Sequence, residues 1–193
     1  IDVPLAVWGT ANYQKDEAVL KKIAEECQGE NLILGPVEDK NHKAVGAAAM
    51  GFGHTLITSS PIDVNLAKQV NILLENLGMP MDRVIIDPTT GGLGYGMEYS
   101  FSIYQRMRIA GLLGEKDLAY PISGGTTNAW GAREAWMSEK QAPEWGLRQY
   151  RGPVWEIINA LSLSLVGLDL AMMFHPVAAK HVKEITAEFF GEI

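Results

Sequence analysis

The sequence predicts an α/β fold built around parallel strands, and three observations lead there. Short runs that are apolar throughout recur along the chain, as in strands covered on both faces. Segments with apolar residues at three- and four-residue spacing separate them. The resulting β-then-α units number six in 193 residues, about 32 residues each, close to the roughly 31 per unit of a (β/α)8 barrel. Two architectures fit that count: an open six-stranded parallel sheet, or most of a TIM (β/α)8-type barrel whose first two strands are absent. Residues 1–193 then form the C-terminal part of one TIM-barrel domain.

In chain order, the strand candidates are Val3–Gly9, Asn31–Val37, Thr55–Ser59, Val84–Thr89, Ala119–Ser123 and Leu170–His175. Asp16 is placed to cap a first helix with Val19, Ile23 and Cys27 on one face and Gly29 as its stop. A weaker helix follows over Lys40–Phe52. Asp63 caps the next, in which Leu66, Val70, Leu73 and Leu77 share a stripe that ends at Gly78 and Pro80. Ile103, Met107, Ala110 and Gly114 mark another, Trp155–Val166 another, and Ala178–Phe190 a weaker last one. The apolar stretch Ile157–Phe174 is broken by Asn159, Gly167 and Asp169, so it reads as a buried helix, a turn and a strand rather than a membrane span. No basic segment precedes an apolar one at the start, which begins at Ile1; with one cysteine, the cytoplasm is the expected compartment.

Composition narrows the function. Apolar residues make up 47 % and the net charge is −7. That excludes disorder and disfavours nucleic-acid binding, which needs a basic face. The lone cysteine, Cys27, rules out a disulfide framework and an iron–sulfur or zinc-thiolate site made by these residues alone.

Ligands of parallel α/β folds sit at the carboxyl ends of strands. The loops there are rich in Gly, Ser and Thr: Gly9–Asn12, Pro36–Asp39, Thr58–Pro61, Asp87–Gly96, Ser123–Trp130 and His175–Pro176. They hold no close carboxylate pair, no Ser-His-Asp set and no metal-ligand cluster. Such a wall holds a ligand through hydrogen bonds and shape, and little chemistry is expected of its own side chains. Gly91, Gly92, Gly94 and Gly96 crowd six residues without the Lys-Ser/Thr of a phosphate loop. His175 reads either as a ligand contact or as a histidine bonded to a carbonyl. His42, His54 and His181 read as surface or structural. Trp130, Trp136, Trp145 and Trp155 fall within 26 residues, together with Arg133, Arg148, Tyr150 and Arg151; that excursion reads equally as a protein interface or as a satellite hydrophobic cluster.

Three strings are distinctive: DPTTGGLGYGMEYSFSIYQRMRIAGLLG (Asp87–Gly114), TTNAWGAREAW (Thr126–Trp136) and WGLRQYRGPVWE (Trp145–Glu156). They resemble the small subunits of corrinoid iron–sulfur proteins, which are the delta subunits of acetyl-CoA decarbonylase/synthase complexes. The resemblance runs over essentially the whole sequence, and the family's intact chain is longer at the N-terminus. It implies a TIM barrel that joins a large corrinoid iron–sulfur subunit. The pair would hold a cobalamin-type corrinoid, whose cobalt carries a methyl group from a methylated pterin to acetyl-CoA synthase in the anaerobic acetyl-CoA pathway of carbon fixation, with a pterin-dependent methyltransferase as a further partner. The [4Fe–4S] cluster would lie on the large subunit, in keeping with the single cysteine here. No Asp-x-His-x-x-Gly corrinoid motif occurs, so no lower axial histidine is offered. Loop position and resemblance together place Thr89, Thr90, Gly91, Gly92, Ser123, Thr126, Thr127, Asn128 and His175 against the corrinoid. Two other readings stand beside this one. Asp-Pro followed by glycines also resembles pterin-binding methyltransferases, with Asp87 and Asn128 on the pterin ring. The third is a purely structural subunit of the complex.

Overall fold

The computed structural model describes residues 3–10, 12–92 and 96–191; Ala11 and Gly94, which fall in two of the loops named above, lie outside them. The chain divides into two compact units, Ile1–Pro88 with Arg106–Ile122, and Thr89–Gln105 with Ser123–Ile193.

The first unit is a parallel sheet of β1 (Ala6–Trp8), β2 (Ile33–Val37), β3 (Thr55–Ser59) and β4 (Val84–Asp87), in sequential order. Its helices are α1 (Tyr13–Glu26), α2 (His42–Phe52) and α3 (Val64–Leu77). Ile33 of β2 pairs with Ala6 of β1, and Leu56 of β3 with both Leu34 and Val84. The β2–β3 register shifts between Leu34 and Val37, where Pro36 has no N–H to give the ladder. Beyond β4, the Ile86 N–H donates to the Pro121 carbonyl at 2.8 Å and Ile86 forms a single parallel bridge with Ile122. Leu20, Leu34, Val45, Leu56, Val70 and Leu74 belong to the core between sheet and helices.

Every strand candidate overlaps an observed strand, yet the helix faces differ in two places. Asp63 does cap α3, accepting from the Asn65 and Leu66 N–H groups, and Gly78 ends that helix at φ 93°, a conformation glycine adopts without a Cβ penalty. Its buried face, however, is Ala67, Val70, Asn71 and Leu74, one step from the apolar stripe read in the sequence. In α1 the cap is Asn12, not Asp16. Asp16 lies inside the helix with its carboxylate buried, accepting from the Thr10 N–H (2.8 Å), the Thr10 hydroxyl (2.9 Å) and the Asn12 N–H (3.1 Å). A Cβ on Gly9 would stand 2.5 Å from that carboxyl carbon, so only glycine fits there. The buried face is therefore Asp16, Leu20 and Ala24, while Val19 is 43 % exposed. An acidic residue at the head of the face hid its four-residue spacing.

The second unit pairs β5 (Ser123–Gly124) in parallel with β6 (Leu170–Ala171). It also holds a 3-10 turn over Thr126–Gly131, the short helix α5 (Arg133–Trp136), α6 (Arg148–Ser164) and α7 (Pro176–Phe190). Helix α4 (Met97–Leu112) contributes residues to both units. The stretch Ile157–Phe174 is thus a helix, a turn and a strand as expected, but α6 starts seven residues before the expected Trp155. Gly152 and Pro153 signal a break in a sequence. In the fold a Cβ on Gly152 would overlap the Trp130 ring, so the glycine is where the indole packs on the helix. Among the described residues the strands form a four-stranded and a two-stranded parallel sheet; a closed barrel is not seen. No described helix is long and apolar enough to cross a membrane.

His54 carries a testable consequence. It is fully buried; its Nδ1 accepts from the Leu32 N–H (3.1 Å), and its Nε2–H donates to the Ala24 carbonyl (2.9 Å). His54→Leu keeps the bulk but strands two buried backbone groups. It is expected to lower unfolding free energy by about 2–4 kcal/mol, read from urea denaturation; an unchanged midpoint would show that the imidazole contributes only volume.

Candidate functional site

The glycine-rich loop from Thr89 on, the 3-10 turn after β5 and the chain after β6 all belong to the second unit, and hydrogen bonds tie them together. Thr89 sits at φ 62°, left-handed backbone that a β-branched residue rarely adopts and that costs about 1–3 kcal/mol. The next residues supply the restraint. Tyr104 of α4 donates its phenolic hydrogen to the Ser123 carbonyl at 2.8 Å. The Thr90 hydroxyl, 2.9 Å from the same phenol oxygen, is therefore the donor to it. The Asn128 side-chain amide donates to the Thr90 carbonyl at 2.6 Å, and the Gly91 N–H donates to Ser100 Oγ at 2.6 Å. Gly124 has no room for a side chain, since a Cβ would overlap the Tyr104 hydroxyl. A Cβ on Gly92 would stand 3.3 Å from both the Asn128 carbonyl oxygen and Ala129 Cα, so glycine lets these two loops approach.

The 3-10 turn is fastened to β6. The Thr126 hydroxyl and the Thr127 N–H both donate to the Met172 carbonyl, at 3.1 and 3.2 Å, and the Met172 N–H donates to Gly124 at 2.9 Å. Glu156 of α6 holds the other side. Its carboxylate is fully buried and accepts from Trp130 Nε1 (3.1 Å), the Phe174 N–H (2.5 Å) and the His175 N–H (3.0 Å). The His175 ring stacks on Trp130 with centroids 5.9 Å apart and planes 18° from parallel. Phe174 and Trp136 meet the same indole at 5.6 and 5.5 Å.

The structure sorts the sequence candidates. Thr90, Gly92, Ser123 and Thr126 are buried and form the frame. Thr89, Gly91, Thr127 and His175 are half-buried, and Asn128 is exposed, so these present the reachable surface. Gly125 adds an open backbone face: a Cβ there would meet nothing closer than Thr127 Oγ1 at 3.7 Å. His175 Nδ1 is buried without a hydrogen-bond partner. Asp87, the pterin candidate, belongs to the first unit, where it is buried at the end of β4 and has polar partners. Among the described residues no three His, Cys, Asp or Glu side chains gather to hold a metal ion. The other histidines are placed as structure or surface: His42 Nδ1 lies 2.6 Å from the Asp39 carbonyl, and His181 is exposed beside Glu184. Cys27, read in the sequence as part of an apolar helix face, is half-buried at the C-cap of α1 and packs against the core.

Sequence reasoning missed two residues that order this region, Tyr104 and Glu156. The signal available for Glu156 was a single carboxylate among apolar neighbours, Trp155, Ile157 and Ile158; buried acids are rare unless paired or bonded. Glu156→Gln keeps the shape but brings an amide N–H toward three donors. The variant is expected to lose about 2–3 kcal/mol of stability and to shift Trp130 fluorescence; an unaltered emission and melting midpoint would remove Glu156 from the frame.

The chain matches the model of the CO dehydrogenase/acetyl-CoA synthase delta subunit over residues 1–142. It is 43 % identical to "Acetyl-CoA decarbonylase/synthase complex subunit delta 1" of Methanosarcina thermophila, 45 % to the delta subunit of Archaeoglobus fulgidus and 46 % to that of Methanopyrus kandleri. Each match covers all of this chain and 45 %, 44 % and 47 % of the respective relative, so the chain spans somewhat under half the length of these curated relatives. On the extent of that family match and of these full-chain identities, the chain belongs to the CO dehydrogenase/acetyl-CoA synthase delta subunit family.

Proposed function

We propose that the chain is part of a methyl-carrier subunit that, with a large iron–sulfur subunit, holds a corrinoid and serves methyl transfer from a methylated pterin to acetyl-CoA synthase. The observation that carries this reading is the braced turn Thr126–Trp130. Thr127 and Asn128 are reachable on a loop whose Thr126 hydroxyl and Asn128 amide N–H are already bonded inward. That arrangement suits shape-based holding of a large, rigid ligand rather than proton transfer. Family membership supports complex formation, because the relatives are named as subunits of a decarbonylase/synthase complex. The partners proposed are the large corrinoid iron–sulfur subunit, a pterin-dependent methyltransferase and acetyl-CoA synthase. A [4Fe–4S] cluster normally takes four thiolates, and this chain has one cysteine, so the cluster is assigned to the large subunit. For the fold, we propose that the six consecutive parallel βα units are units of a (β/α)8 barrel, whose carboxyl-end loops carry the site.

The residues present fit a corrinoid. Its rim carries amide side chains that both donate and accept, and Thr127, Asn128 and the orphaned His175 Nδ1 offer the complementary groups. Gly125 and Gly91 leave backbone open to close approach by a flat macrocycle. Thr89 stands beside them, and Thr90, Gly92, Ser123 and Thr126 set their positions. When bound, the corrinoid supplies the cobalt centre for the methyl group. The chain's own residues bind its rim, orient it and exclude water.

Co-expression with the large subunit tests this. Wild-type pairs are expected to show a corrinoid absorption band that needs both chains. Thr127→Val with Asn128→Ala should lower corrinoid retention about tenfold at unchanged heterodimer yield. Full retention would sink the site assignment and favour the purely structural reading.

A second reading rests on Asp87, a buried carboxylate at the carboxyl end of β4. As a pterin-binding methyltransferase, the chain alone would bind methyltetrahydrofolate, and Asp87→Asn would weaken that about tenfold or more. On the carrier reading, calorimetry with the isolated chain detects no such binding.

A further inference from the structure

The part of the second unit that the site does not use is a groove of about 460 Å³ whose walls include Trp145, Leu147, Tyr150, Val154 and Trp155. From it an apolar stripe runs along α6. Leu147, Tyr150, Val154, Ile158 and Leu165 are all exposed, Tyr150 by 58 % and Leu165 by 75 %. At 3.6 residues per turn Tyr150, Val154, Ile158 and Leu165 fall within an arc of about 80°, over a length of about 22 Å, with Leu147 just before the helix. The opposite face of the same helix buries Glu156, Asn159, Ala160 and Leu163. Helix α6 is thus apolar on a second side that no described residue covers, and the three- and four-residue spacing is that of a helix–helix seam.

The groove also has a charge. Arg151 lines it and is 6 % exposed. Its Nε donates to the Gly146 carbonyl, Nη1 to Met137, and Nη2 to Ala142 and Gly146. A guanidinium has five N–H groups, so one on Nη1 is unspent, and among the described residues no carboxylate pairs with it. A nearly buried cation without a counter-ion is costly, and a carboxylate brought to it relieves that cost. The surrounding segment 131–155 carries four basic and three acidic side chains in a chain of net charge −7. One of those acids, Glu134, stands on the groove wall with Arg151.

We propose that the Trp145–Trp155 groove and the α6 stripe form a docking face for an amphipathic helix of a fellow subunit, which lays its apolar side along Tyr150, Val154 and Ile158 and seats an acidic side chain against Arg151. This rests on the reading of the chain as a subunit of a complex and adds the surface and the chemistry of the partner. Helix-in-groove recognition of this kind takes its affinity from apolar residues at i, i+3, i+4 and i+7, and its register from a charge.

The test uses the full-length natural subunit with the other purified subunits of the complex. Amide hydrogen exchange over residues 147–165 is compared before and after assembly, and is expected to slow about tenfold or more. The double variant Val154→Glu, Ile158→Glu, at exposed positions, should lose about tenfold or more in assembly affinity with unchanged circular dichroism. Arg151→Gln should lose about tenfold and Arg151→Lys clearly less; where Arg151→Gln lowers the melting midpoint, the double variant decides. Assembly without protection of 147–165, or an undiminished affinity of the double variant, overturns the proposal. A dimer of this subunit alone that the double variant abolishes overturns it in favour of a second copy. Failure of the wild type to associate with any subunit overturns both this proposal and the reading it rests on.

Discussion

Glu156 is a carboxylate with no exposed surface, and three N–H groups from two chain segments converge on it. One is the indole of Trp130, at the end of the turn after β5; the other two are the backbone amides that follow β6. A buried anion is tolerated only when its lone pairs are met in this way. The constraint works in both directions. The carboxylate needs those donors, and the donors lose their alternatives once water is excluded. Helix α6 is thereby fixed to both loops of the candidate site, and the Trp130 ring, packed on Gly152, fills the space between.

The opposite side of the site repeats the principle with neutral groups. Tyr104 and Asn128 join the strained start of the glycine-rich loop to the turn after β5. A threonine held at φ 62° persists only where its neighbours over-determine it, and here Thr90 and Gly91 are both bonded. Such a frame leaves few groups to act as acids or bases. It leaves a shaped, pre-organised surface of Thr127, Asn128, Gly125 and His175. The proposed carrier role asks for such a surface, because the reactive chemistry would belong to the cofactor while the protein supplies position and shelter.

Arg151 stabilises the excursion as Glu156 stabilises the site. Its guanidinium gathers three carbonyls from a stretch with little regular structure, replacing the backbone partners that a longer helix or strand would have provided. The tryptophans of that stretch divide between two tasks. Trp130 and Trp136 form an aromatic cluster with Phe174 and His175. Trp145 and Trp155 line the groove beside Arg151.

Apolar content, strand positions, the α/β class and the loops at the carboxyl ends of the strands are local properties, and the sequence by itself determined them. A continuous apolar run reads the same whatever covers it, and Asp63 and Gly78 cap α3 through bonds within a few residues. The distinctive strings Asp87–Gly114 and Thr126–Trp136 likewise carried the family. Tertiary structure alone decided the roles that depend on distant partners. Asp16 reads as a cap until the Thr10 loop folds over it; the helix reads as starting at Trp155 until Trp130 packs on Gly152; Thr90 and Thr126 read as ligand contacts until Tyr104 and Met172 take their hydroxyls. In each case a polar group has several possible partners along the chain, and burial selects one of them because an unpaired polar group in the interior costs more than any local preference.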